Sequence, residues 1–241
     1  MPKAIVIIPT YNEIENIEAI INAVIGLPKS IDVLVVDDNS PDQTALKVKE
    51  LQEQYPDQLF LEVRKEKAGL GTAYIHGFKW CLQNEYDYIF EMDADFSHNP
   101  NDLIRLLKTC QEDGADVAIG SRYIKGVNVV NWPLGRVLLS YLASIYVRVI
   151  TGMRIYDTTA GFICYKKHVL QAINLDEIKF IGYAFQIEMK FRAHQKKFNI
   201  IEIPIVFTDR VKGESKLSGS IISEAIFGVI QMKFKSLFKK N

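Results

Sequence analysis

Cysteine is scarce in this chain: Cys81, Cys110 and Cys164 are the three in 241 residues, far apart and without a C-x-x-C pair. That excludes a disulfide framework and a structural zinc site, and it reads as reduced thiols in a cytosolic protein. An excess of either charge is also missing, with 29 Lys plus Arg against 29 Asp plus Glu. Broad electrostatic capture of nucleic acid is therefore not expected. The longest nearly apolar stretch, residues 137–150, is broken by Arg148 and falls short of the ~18 residues a spanning helix needs, so no membrane crossing is expected. Met1-Pro2-Lys3-Ala4 leads directly into a strand-like segment with no apolar leader, so no signal peptide is expected. His76, His98, His168 and His194 lack H-E-x-x-H spacing, and a surface or half-buried structural role is the default for each. No G-x-S-x-G elbow supports a hydrolase triad.

What is present is an ordinary globular balance, 48% apolar and 24% charged. Without repeats or low-complexity linkers, residues 1–241 read as one domain with two halves, 1–120 and 121–241. In the first half short apolar runs (4–8, 33–36, 59–63, 86–92, 117–119) alternate with helical ones (15–25, 41–54, 71–84, 101–111). Ser40 as N-cap and Pro41 at the first position would open the second of those helices. Such alternation predicts an α/β fold, with a mostly parallel sheet covered on both faces. These sheets bind ligands at the carboxyl ends of their strands. The unusual residues fall there: Pro9-Thr10-Tyr11-Asn12-Glu13, Asp37-Asp38 and Asp93-Ala94-Asp95. The second half reads as a basic loop (121–132), a long apolar helix (134–151), then strand (161–165), helix (183–194), strand (200–207) and a last helix (220–238).

Asp93 and Asp95, two residues apart where a strand becomes a loop, can hold a hard divalent cation that also bridges a diphosphate. Helix capping is the competing use of these acids, but Asn99 as N-cap and Pro100 behind it fill that role. Gly69-Leu70-Gly71 lacks the third glycine of a dinucleotide fingerprint and reads as a tight turn opening a helix. Arg122, Arg136, Arg210 and Lys216 lie near glycines and hydroxyls, and arginine matches phosphate oxygens bidentately. The loop 209–216, with three cations, is suited to closing over a diphosphate. Residues 231–241 carry four lysines and no acid, beside an apolar stripe from Ile222 to Phe238. That amphipathic helix can lie on an anionic membrane or pack on the core.

Together these strings resemble the dolichol-phosphate mannose synthases, in the inverting family 2 of GT-A glycosyltransferases. The matching segments are PTYNE (9–13), VDDNSPDQTA (36–45), GLGTAYIHG (69–77), MDADFSHNP (92–100), GSRY (120–123), GYAFQIEM (182–189) and DRVKGESKL (209–217). One departure is Gln43, where the family usually has glycine, with a small change in that turn expected. The resemblance implies a GT-A fold, with a Rossmann-like nucleotide half and an acceptor half. It also implies mannose transfer from GDP-mannose to a dolichyl or polyprenyl phosphate, with inversion.

Carried over by position, Pro9, Tyr11, Glu13, Val36 and Asp38 would line the nucleotide, and Asp93, Ala94 and Asp95 would meet the diphosphate. The cation, Mg2+ or Mn2+, would sit on Asp93 and Asp95. Arg122, Arg210 and Lys216 would contact phosphate or sugar, and Arg122, Arg136 and Ser140 the acceptor phosphate. Asp95, Arg210 and Lys216 would carry catalysis. The acceptor phosphate is already largely dianionic at neutral pH and needs no general base. A polyprenyl-phosphate glucosyltransferase and a sugar-nucleotide-binding module without turnover are the alternatives. The resemblance also implies a peripheral protein on the cytoplasmic face of a membrane, alone or with a membrane-anchored partner.

Overall fold

In a computed structural model the chain is described over residues 2–182, 184–209 and 219–238, without the side chains of 219–226 and 237–238. The first strand, β1 (Ala4–Thr10), is buried on both faces, which its unbroken AIVIIPT run dictates for a central parallel strand. Ile5 and Ile7 point to one core, and Val6 and Ile8 to the other. Helix α1 (Ile17–Ile25) follows, burying Ile17, Ile20, Ile21 and Val24 at helical spacing. Next come β2 (Asp32–Asp37), α2 (Thr44–Gln52), β3 (Leu59–Val63), α3 (Leu70–Gln83), β4 (Tyr88–Glu91), α4 (Asp102–Gln111) and β5 (Val117–Ser121). The second half adds β6 (Val129–Val130), α5 (Leu134–Thr151), β7 (Ile163–Lys166), α6 (Lys167–Ala172), α7 (Ala184–Gln195), β8 (Ile200–Pro204), β9 (Phe207–Thr208) and α8 (Gly219–Phe238).

Seven strands form one sheet in the order β3-β2-β1-β4-β7-β5-β8. All pairings are parallel except those of β7, which runs antiparallel between β4 and β5. The strand order reverses between β1 and β4, and at such a point the crevice above the strand ends is open to a ligand. β6 and β9 pair separately as a short ribbon, so the single strand expected over 200–207 is two.

Several local expectations are corrected. Ser40 is not an N-cap, and α2 starts only at Thr44, because Ser40 is drawn back to Asp37: its amide donates to Oδ1 and its hydroxyl to Oδ2. Gln43, immediately before α2, holds the left-handed conformation that suits glycine (φ 71°), at a backbone cost that comes from its Cβ. Asn99 does not cap α4 directly; its Oδ1 accepts the Asn101 amide in a turn one step earlier. Gly69 (φ 101°) and Gly71 serve packing: a Cβ on Gly71 would lie 2.9 Å from the Phe180 carbonyl. The Gly71 amide already donates to the Ile181 carbonyl, so this helix start is occupied by the protein's own chain.

Helix α5 has the bounds expected of it, but it is longer and more apolar than the stretch 137–150 suggested; Arg148 sits within it with its guanidinium over the Tyr156 ring, 4.5 Å from its centre. The helix is continuous over 18 residues with mean hydropathy 1.4, long and apolar enough by length and composition to cross a membrane, and 17% of it is buried. It rests on the domain through Ser144, Val147 and Thr151. Both its ends are held by the fold: Pro133 and Asn131 adjoin the ribbon, and Met153 and Ile155 beyond Gly152 enter the core. It therefore lies along the surface of the domain.

Candidate active site

The carboxyl ends of β2, β1 and β4 stand side by side and bring together the first predicted residues. Pro9 pairs with Val36 across β1 and β2, and the Asp38 amide donates to the Thr10 carbonyl. Asp37 is fully buried and accepts the hydroxyls of Thr10 (2.7 Å) and Ser40 (2.6 Å), which makes it a brace for the turn. Asp38 is tied to Arg64 at the end of β3, with Nε 2.6 Å from Oδ1. Arg64 also donates to Thr72, so it spans the wall from β2 to α3. Tyr11 presents its ring to the Lys67 ammonium at 4.3 Å. The Glu13 amide donates to the Thr44 hydroxyl, locking the PTYNE turn against α2.

Past β4, the backbone of Met92 donates to the Ile7 carbonyl, and the chain leaves the sheet at Asp93. Ala94 is buried while Asp93 and Asp95 are half-buried on either side of it, the alternation that turns both carboxylates away from the core. Asp95 accepts the Ser97 amide at 3.0 Å. Among the described residues no three His, Cys, Asp or Glu side chains cluster as a metal cage. Two carboxylates at an open strand end are the donor set of a Mg2+ or Mn2+ site that shares its ion with substrate phosphates.

His98 departs from its default role. It is buried, stacked 4.7 Å from Phe162 and edge-on to Phe207, and its Nδ1 has no hydrogen-bond partner. Burial pulls its pKa down to about 4, against the opposing pull of Asp95.

Of the predicted acceptor residues, Arg122 is paired within the protein: its guanidinium meets Asp157, with Nε 2.7 Å from Oδ2 and Nη2 2.6 Å from Oδ1, and Thr159. Burial alone would raise the Asp157 carboxyl, but the Arg122 charge and bonds outweigh it and hold it below its usual value. Arg122 therefore braces this corner of the site through Asp157 and Thr159. Arg136 sits over the Trp132 ring, 4.1 Å from its centre, and pairs with Asp209 at 2.9 Å. Ser140, one turn along α5, accepts the Tyr123 hydroxyl at 2.8 Å. Trp132 also lies under Arg122, so the two arginines share one indole, and Ser140 joins them through Tyr123, whose ring is beneath Arg122.

The ribbon joins the two corners. The Thr208 amide donates to the Ser97 carbonyl beside Asp95, and the Asp209 amide to Val130 beside Trp132. Arg210 and Lys216, which follow, lie outside the described residues. Sequence reasoning missed Arg64, Asp157, Trp132 and the buried group Glu91, Gln186 and Lys190. Arg64 is hidden in a charged run and Trp132 in a loop, while Asp157, Glu91, Gln186 and Lys190 show only polarity that a linear pattern does not separate from surface.

The family model of glycosyl transferase family 2 matches residues 5–173. Polyprenol monophosphomannose synthase of Mycolicibacterium smegmatis is 46% identical over 95% of this chain and 86% of its own length. The chain belongs to glycosyl transferase family 2. Within the family, undecaprenyl-phosphate mannosyltransferase of Micrococcus luteus is 44% identical over 94% of this chain and 92% of its own. Dolichol-phosphate mannosyltransferase of Pyrococcus furiosus is 39% identical over 92% of this chain and 61% of that protein. Glucosyl-3-phosphoglycerate synthase from Mycobacterium tuberculosis, solved with Mn2+, uridine diphosphate and glucosyl-3-phosphoglycerate, is 13% identical. It covers all of this chain and 81% of its own with a TM-score of 0.70, which shows the GT-A fold. The protein is thus a glycosyltransferase by family.

Proposed function

We propose that the protein transfers mannose from GDP-mannose to a polyprenyl monophosphate, with inversion, releasing GDP. The observation that carries this reading is the ribbon, whose adjacent residues Thr208 and Asp209 link the Asp93/Asp95 edge to the Arg136–Trp132–Ser140 corner. One edge suits a nucleoside diphosphate and the other a phosphate monoester, and the names of the relatives pair a mannosyl group with a lipid phosphate. In the reaction an acceptor phosphate oxygen bonds to the anomeric carbon as the bond to the GDP oxygen breaks, with no proton to remove. Asp93 and Asp95 would hold a divalent cation, which would supply charge neutralisation for the departing diphosphate. The chain's own part is alignment: Asp38 and Tyr11 seat the nucleotide, and Arg136, over the Trp132 ring, meets the incoming phosphate. A panel of labelled sugar nucleotides with a short polyprenyl phosphate tests this. Lipid-linked label from GDP-mannose alone is expected. Label from UDP-glucose alone reassigns the donor, and nucleotide binding without any product makes the chain a binding module.

The acceptor lipid places the enzyme at a membrane surface in this reading. α5 exposes Leu134, Leu138, Leu142, Ile145 and Val149, a stripe at helical spacing, with Leu134 and Val149 over 70% exposed. Arg136 and Ser140 lie on the same helix, so a phosphate held there would trail its prenyl chain along the stripe. α8 adds exposed Phe227, Ile230 and Phe234, while its Val229 is buried and its Lys233 donates to the Thr151 carbonyl. The last helix therefore serves core and surface together, and a bilayer is the occupant we assign to the apolar faces.

A further inference from the structure

Lysine is almost never fully buried unless paired, yet Lys190 on the inner face of α7 is 0% exposed. Its ammonium donates to the carbonyls of Ala160 (2.6 Å) and Gln186 (3.2 Å) rather than to a carboxylate. A buried ionic group can often be replaced by an apolar one without loss of stability, so its presence calls for a reason of position. That reason lies in what its two neighbours hold. Ala160 belongs to residues 156–162, the same short segment as Asp157, which grips Arg122 beside Trp132. One turn back on α7, Gln186 donates its side-chain amide to Glu91, the last residue of β4 and the root of the Asp93–Asp95 turn. The charges of Glu91, Asp157 and Glu202 all act on the ammonium, and Arg122 opposes them.

Resting on the mannosyl-transfer reading, we propose that Lys190 is a positioning residue: from α7 it fixes the 156–162 segment, and with it the Arg122 corner, against the donor edge. Glu202 holds the same segment from the other side, its carboxylate accepting the Tyr156 (2.7 Å) and Asp157 (2.9 Å) amides. Burial pushes the Lys190 ammonium down and the Glu91 carboxyl up, the directions expected of two charged groups shut away from water.

The test is Lys190→Met, close in volume and without charge, assayed in the full chain against polyprenyl phosphate and against GDP binding by calorimetry. The acceptor KM is expected to rise about 10- to 150-fold, the range of one lost anchoring hydrogen bond to a charged group, with GDP affinity within twofold. A merely structural lysine would lower the folded fraction and kcat and leave both constants in place, which would overturn the inference. Equal weakening of acceptor and GDP would overturn it too. Should Lys190→Met not fold, Glu202→Gln, which removes one of the two acceptors that hold the Tyr156 and Asp157 amides, is expected to show the same split at smaller size. A wild-type protein that transfers to no polyprenyl phosphate overturns the reaction itself. A wild type that transfers, beside variants with unchanged constants, overturns the role of Lys190 alone.

Discussion

Asp95 stands where the chain has just left β4, its Oδ1 on the Ser97 amide and Ala94 buried beside it. Asn at this position keeps the volume and removes the charge, so Asp95→Asn is expected to fold normally and to lose roughly 10²–10³-fold in transfer, the scale of one lost electrostatic contact to the transition state. Calorimetry should show that GDP binding to the variant no longer responds to Mn2+; a response equal to wild type would move the metal elsewhere. His98 acts on stability in the opposite way to a salt-bridged histidine. Its folded pKa, about 4, lies below the ordinary 6.5, so the unfolded chain binds the extra proton. The contribution is therefore full above about pH 6.5 and is lost as pH falls toward 4. Between pH 7 and pH 5 it amounts to about 2 kcal/mol. His98→Phe keeps the stack on Phe162 and should flatten the acid limb of urea-unfolding stability by about that amount. Identical pH slopes in the two proteins would show that His98 is protonated in the fold.

Among the elements, α5 has the most to explain. A helix of a soluble domain turns its apolar stripe inward, whereas this one buries Ser144, Val147 and Thr151 and exposes its leucines. Leu138→Glu with Leu142→Glu leaves the buried face untouched. Burying a leucine contributes roughly 1.5–3 kcal/mol, so binding to vesicles should weaken by at least about tenfold. Transfer to a bilayer-embedded acceptor should fall with it, while transfer to a short acceptor in detergent stays within about twofold of wild type. Loss of both activities together would mean that the stripe packs on protein.

At the level of the whole molecule, the two functional halves do not correspond to two folding units. β7, from the second half, is hydrogen-bonded between β4 and β5 of the first, and both cores draw residues from either half. Calorimetry should therefore record one unfolding transition. Mn2+ with GDP at about 100 times its Kd adds ~2.7 kcal/mol and should move that single transition up by about 5–10 °C. Two transitions, of which only one shifts, would separate the nucleotide half as its own unit.

Much of this architecture was legible residue by residue, and the reason is locality. AIVIIPT reads as a buried parallel strand, and the acids after it, after β2 and after β4 fall at strand ends because polarity changes where a strand leaves the core. The D-x-D pair and the i, i+4 spacing of Arg136 and Ser140 are likewise local, and so is the resemblance that the motifs carry. What periodicity leaves open is the partner. Nothing in the local pattern pairs Arg122 with Asp157, 35 residues away, and Ser40 reads as a helix cap until Asp37 draws it back. Lys190 reads as one more charge on an amphipathic helix, and only the packing of α7 under β4 and the 156–162 segment buries it. An apolar stripe, too, says which face of α5 avoids water without saying whether protein or lipid covers it. These are long-range choices, made when the chain closes on itself and the charges find their neighbours, and only the tertiary structure decides them.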